Sequence, residues 1–140
     1  MKKKTSRYII MIVPLKENVK PISLLVEFPR PENIFDEVAY LVLEFVNVYS
    51  EFIKRHGDAE MTIIIMDLYL LDHCIIKCYA DTISIFKASR GLENTPIDLL
   101  STYLQYNISV HGTLKDALSG LIKKLHELTK LGRKLLEKIE

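Results

Sequence analysis

From Thr113 to Glu140, apolar residues recur at Leu114, Leu118, Leu121, Leu125, Leu128, Gly132, Leu135 and Ile139, in alternating steps of four and three. Such a heptad seam, held for almost four repeats, predicts one long amphipathic helix. A helix of this length spans about 42 Å. A compact chain of 140 residues has a diameter of only roughly 35–40 Å, so the helix crosses the whole domain or overhangs it. Ala117, Ile122, Leu131 and Leu136 widen the stripe beyond two positions in seven. That width suits packing on a broad surface better than a free zipper. Gly132 on the seam lets another backbone approach closely or lets the helix bend. The seam residues are therefore the candidate protein interface.

Ahead of this helix the chain is rich in short β-branched runs. Tyr8 to Pro14 and Ile22 to Phe28 are apolar segments fenced by Pro14, Pro21, Pro29 and Pro31, and both read as strands. The polar stretch Lys16-Glu-Asn-Val-Lys20 between them makes the pair a hairpin candidate. Asn33 is placed to cap a helix, with Asp36 and Glu37 in the first turn, where the dipole favours acids. That helix runs to about Arg55, with Gly57 at the expected C-cap. Its polar stripe is narrow (Glu37, Tyr40, Glu44, Asn47, Glu51, Arg55), so burial on two sides is expected, by the sheet and by a second helix or another subunit.

Met61 to Leu71 is nearly continuous apolar sequence broken by Thr62 and Asp67, the pattern of a strand covered on both faces. Asp72-His73 then supplies a turn, and Cys74 to Ala80 resumes the sheet. A competing reading takes Asp67 as a cap and Leu68 to Tyr79 as a helix; the β-branched residues on the flanks favour the hairpin. Thr82 to Ser89 alternates like a strand, although Asp81 could cap a short helix there. Arg90 to Asn94 is a loop. Thr95-Pro96-Ile97-Asp98 is a helix start, for a helix ending near Asn107. Ile108 to Gly112 connects it to Thr113, which caps the last helix. The expected fold class is α+β: an antiparallel sheet of four to five strands packed by helices, with a long C-terminal amphipathic helix. Residues 1–140 form a single domain, and 1–7 form a basic flexible tail.

Composition narrows the function classes. The formal net charge is +1, too small for polyanion binding by charge alone. The charge is uneven, however: Lys2, Lys3, Lys4 and Arg7 cluster at the start, and seven Lys/Arg face four acids in the last helix. The six apolar residues before Pro14 are too short for a secretory signal, and no run reaches a membrane span. A cytoplasmic location, without membrane association, is expected. Two cysteines, Cys74 and Cys78, make no disulfide framework. Abundant Ile and Leu, a single Gln105 and no Trp point toward a thermophile.

Few residues carry a chemical signature. On a strand Cys74 and Cys78 share a face about 13 Å apart, too far for one zinc or a disulfide, and His73 points the other way. As a helical pair they would still lack further ligands. Asp67 within an apolar run is either a buried functional carboxylate or a strand-end cap. Ser89-Arg90-Gly91 before Thr95 could cradle an anion at a helix start, but it lacks the lysine and glycine spacing of a P-loop. His56, His111 and His126 are scattered. No catalytic residue, metal ligand or cofactor is expected. Lys2, Lys3, Lys4, Lys123, Lys130 and Lys134 are the candidate nucleic-acid contacts, although the interleaved acids Asp116, Glu127, Glu137 and Glu140 fit a solvated face as well.

Leu24-Leu25-Val26-Glu27-Phe28-Pro29 leading into a helix at Asn33, followed by Ile75 to Ala80, Asp81 and Phe86-Lys87, resembles the small dimerising subunit family of the KEOPS tRNA-modification complex. The likeness spans residues 22 to about 90. Members of that family are shorter, and Gly91 and Pro96 interrupt the helix that follows in them. The resemblance implies a noncatalytic subunit that pairs through its sheet and helices and docks a catalytic partner. The order of strands and helices also resembles longin and roadblock-type adaptors. The expected function is a noncatalytic interaction subunit, as a homodimer or with another protein subunit. The alternative is an RNA- or DNA-binding accessory protein using the basic tail and last helix.

Overall fold

A computed structural model describes residues 4–56, 60–78, 83–88 and 95–111, together with Lys123. Among residues 4–111 of these, five strands and two helices are described, in the order β1 (Thr5–Pro14), β2 (Ile22–Pro29), α1 (Ile34–His56), β3 (Met61–Asp67), β4 (His73–Cys78), β5 (Ile83–Ala88) and α2 (Pro96–His111). The fold is α+β, with one five-stranded antiparallel sheet in the order β2-β1-β3-β4-β5.

β1 and β2 form the expected hairpin, turning through a polar loop in which Asn18 adopts a left-handed φ of 68°. β1 is antiparallel to both neighbours, so β2 and β3 run parallel with β1 between them, and α1 makes the crossover. Asn33 caps α1 as its sequence position implies: the Phe35 N–H donates to Asn33 Oδ1 at 2.8 Å. At α2, Asp98 N–H donates to Thr95 Oγ1 at 3.1 Å. Each bond satisfies one of the orphan donors of a first turn.

Both helices lie on one face. α1 packs over β1 and β2, α2 over β3, β4 and β5, and the two touch each other. The core between them joins Tyr8, Ile10 and Ile12 of β1, Ile63 and Ile65 of β3 and Ile76 of β4 to Phe45 and Phe52 of α1 and to Ile97, Leu100 and Leu104 of α2. The broad apolar face of α1 is thus covered by the sheet and by a second helix. Tyr40, Asn47, Glu51 and Arg55 of its polar stripe are exposed.

Several expectations are corrected. β1 starts at Thr5, so Thr5, Ser6 and Arg7 belong to the sheet and not to a tail. Met61–Leu71 is no single strand: β3 stops at Asp67, whose carboxylate accepts the N–H groups of Tyr69 and Leu70 at 2.8 and 3.0 Å. With Leu71 at φ 58°, these bonds close a tight turn into β4. His73 is therefore a strand residue, and neither a 68–79 helix nor a short helix at 83–88 forms. α2 continues through His111 instead of ending near Asn107. Glu37, expected on the solvent stripe, is 5% exposed.

Candidate functional site

Alternation along the strands sorts side chains onto two faces. Register places Leu25, Ile9, Met66, His73 and Ala88 in one row across the face opposite the helices. Ser23, Met11, Ile64, Ile75 and Phe86 form the next row. Val13, Thr62, Lys77 and Ser84 form a third. Among the described residues both helices pack on the opposite face from these rows. Leu25 and Phe86, at the two sheet edges, are each 54% exposed. The remaining large apolar residues of the face are half-buried by their neighbours. A helix-free sheet face normally alternates to polar; two of the three rows here are apolar apart from His73 and Ser23.

A second feature sits where β1, β2 and the β3–β4 turn meet. The backbone ties them together: Arg30 N–H donates to Lys4 O at 2.8 Å, and Leu68 N–H donates to Arg7 O at 3.0 Å. Lys4, Thr5, Arg7, Arg30, Leu68 and Tyr69 line an open concavity of about 450 Å³. The Tyr69 ring, on a side chain from a residue 60% exposed, carries Arg30 at 5.0 Å and Lys4 at 5.9 Å from its centroid. Contacts of this kind are worth about 0.5–1 kcal/mol at exposed sites. Arg7 is paired at the surface with Glu27 at 3.6 Å.

Beneath the concavity lies a buried polar group that sequence reading missed. The Ser6 hydroxyl donates to the Glu37 carboxylate. Arg30 Nε donates to Ser6 Oγ at 3.1 Å and stands 3.5 Å from Glu37 Oε1. Tyr8 packs below this group, stacked on Phe28, which in turn stacks on Tyr40. The Tyr8 hydroxyl is buried beside the Glu37 carboxylate. Burial first, and then the Glu37 and Asp67 carboxylates, push its ionisation far above the ordinary tyrosine range, while Arg30 pulls the other way. The cluster orients Arg30, and with it one wall of the concavity. Nothing in the local sequence signals it, because Ser6 and Glu37 are 31 residues apart.

The chemical candidates resolve into packing. Cys74 and Cys78 point into the core on the helix side, and burial pushes both thiols up to about 11. In Cys74 a hydrogen bond with Ser101 acts against that rise. His73 lies on the opposite face, as the strand geometry implies. Asp67 is 2% exposed and serves as the turn acceptor described above. Among the described residues, no group of three or more His, Cys, Asp or Glu could hold a metal ion. Of the nucleic-acid candidates, Lys4 is placed at the concavity and Lys123 is an exposed helical residue. Lys2, Lys3, Lys130 and Lys134 lie outside the described residues, as do the seam positions Leu114, Leu118, Leu121, Leu125, Leu128, Gly132, Leu135 and Ile139. Gly57, Asp81 and Ser89-Arg90-Gly91 also fall outside them. No described helix is long and apolar enough to cross a membrane. Comparison with family models, curated proteins and solved structures finds no match.

Proposed function

We propose that this chain is a noncatalytic protein-interaction subunit that dimerises. The observation that carries the reading is the apolar sheet face on which no described element packs. Ile9, Met11, Val13, Leu25, Ile64, Met66, Ile75 and Phe86 share it, and a contiguous apolar area of that extent marks an interaction surface. The seam from Leu114 to Ile139 adds a second apolar stripe that needs a surface to pack on. Membership of a KEOPS-like tRNA-modification assembly is the specific form suggested by the likeness over residues 22–90, and a longin- or roadblock-like adaptor is the other. Dimerisation couples folding to association, so the thermal midpoint must rise with protein concentration. A midpoint unchanged over a 100-fold concentration range would sink the reading.

The concavity favours a second reading, an accessory protein that contacts nucleic acid. Lys4, Arg7 and Arg30 surround an exposed tyrosine ring, the combination of cations and a stacking platform that holds single strands. Binding of a short single-stranded RNA would fall steeply with salt and weaken in Tyr69→Ala. Absence of binding at low salt would remove this reading.

A further inference from the structure

Met61 to Met66 is apolar at every position except Thr62, a pattern that belongs to strands covered on both faces. The helices cover the Ile63 and Ile65 side, and no described element covers the Ile64 and Met66 side. We infer that a second copy of this chain covers it, face to face, about a two-fold axis parallel to β3. The inference rests on the dimerising-subunit reading and specifies its surface.

The strand order makes the face self-complementary. A two-fold axis between the sheets and along β3 sets β2 of one copy over β5 of the other, and β1 over β4. Residues keep their row. Phe86 then stands over Ser23, and Leu25 over Ala88, so each exposed bulky edge residue meets a small one. Ile64 and Met66 face their own counterparts near the axis. Lys77 falls over Val13 in the outermost row, and Arg7 and Glu27 lie beyond the rows, so no like charges are opposed. Such alignment is the aligned geometry of packed sheets.

The area suffices. Five strands about 4.8 Å apart, with rows about 7 Å apart, give each face a flat projection of roughly 500 Å². Two such faces together bury on the order of 1,000 Å² or more, the threshold for a specific interface. The Arg7–Glu27 pair at one end and Lys77, whose ammonium lies over the edge residue Phe86 at 5.4 Å from its ring centroid, supply polar groups at the margin of the face.

Light scattering on the full chain and on Ile64→Lys and Phe86→Lys tests this. The expected result is twice the chain mass for the wild type. Each variant should raise the dimer dissociation constant on the order of 100-fold, with an unchanged circular dichroism spectrum. Should Ile64→Lys fail to fold, a spin label at Thr62→Cys, in the outermost row of the axial strand, reads the geometry instead. Labels about 10–20 Å apart support face-to-face sheets, and separations beyond about 30 Å overturn them. A wild-type dimer that persists in both lysine variants but dissociates in Leu121→Asp assigns the interface to the seam. That outcome overturns the inference and leaves the dimerising reading intact. A monomeric wild type overturns both. If Met66→Cys in that monomer resists maleimide, the chain's own residues 113–140 are the occupant.

Discussion

Ile64 of β3 is in register with Ile75 of β4 on the sheet face turned away from both helices. Ile65, one residue on, is fully buried on the helix side. Adjacent isoleucines of one strand thus answer to different environments. Ile65→Ala should cost about 2–5 kcal/mol, the range for emptying a packed core, at every protein concentration. Ile64→Ala should cost less at low concentration, and its cost should grow as the concentration rises into the associating range. Urea denaturation of both variants at two concentrations compares them directly.

The Ser6–Glu37–Arg30 group makes a separate demand. Glu37→Ala leaves the Ser6 hydroxyl and the Arg30 guanidinium without their carboxylate. A buried donor left unsatisfied costs about 1–3 kcal/mol. Ser6 and Glu37 in contact should be non-additive, with a coupling of about 0.5–3 kcal/mol in a double-mutant cycle of Ser6→Ala and Glu37→Ala. Additive costs would show that the bond contributes nothing to stability.

Asp67 acts through its turn. Asn at this position keeps an oxygen for the Tyr69 and Leu70 N–H groups, and Ala keeps none. Asp67→Ala should therefore destabilise the chain by about 1–2 kcal/mol. Asp67→Asn should be much milder. Equal losses would point to the negative charge as the feature that matters.

Alkaline stability follows from the cysteines. An unfolded thiol titrates near ~8.5, whereas Cys74 and Cys78 are pushed up to about 11 by burial. Their folded-state protonation contributes stability that is complete below the unfolded value and is lost as pH rises through about 11. The loss is on the order of a few kcal/mol for the pair. Tyr8, buried and raised further still, adds to the fall above pH ~10, where an unfolded tyrosine ionises. Denaturation midpoints from pH 8 to pH 11 should drop steeply in the wild type and less steeply in Cys74→Ala/Cys78→Ala. Parallel profiles would remove the thiols from the explanation.

The frame of the fold was legible wherever one signal was local. Asn33 and Thr95 announce the two helix starts, Pro14 and Pro29 fence the first strands, and β-branched runs mark β3 and β4. What failed depended on partners far along the chain. Leu68 to Leu71 are apolar enough to extend a strand, yet Asp67 folds its own carboxylate back onto the next backbone N–H groups and ends it. Glu37 reads as a dipole-favoured surface acid until β1 brings Ser6 against it. The expectation that β3 is covered on two faces is met on the helix side; on the other, the covering element is the proposal.

Sedimentation equilibrium of the wild-type chain beside Ile64→Lys tests the central claim most directly. The account predicts a single species of twice the chain mass for the wild type and of one chain mass for the variant, both folded. A wild type that sediments as one chain at every concentration, or a variant that dimerises as tightly as the wild type, would contradict it.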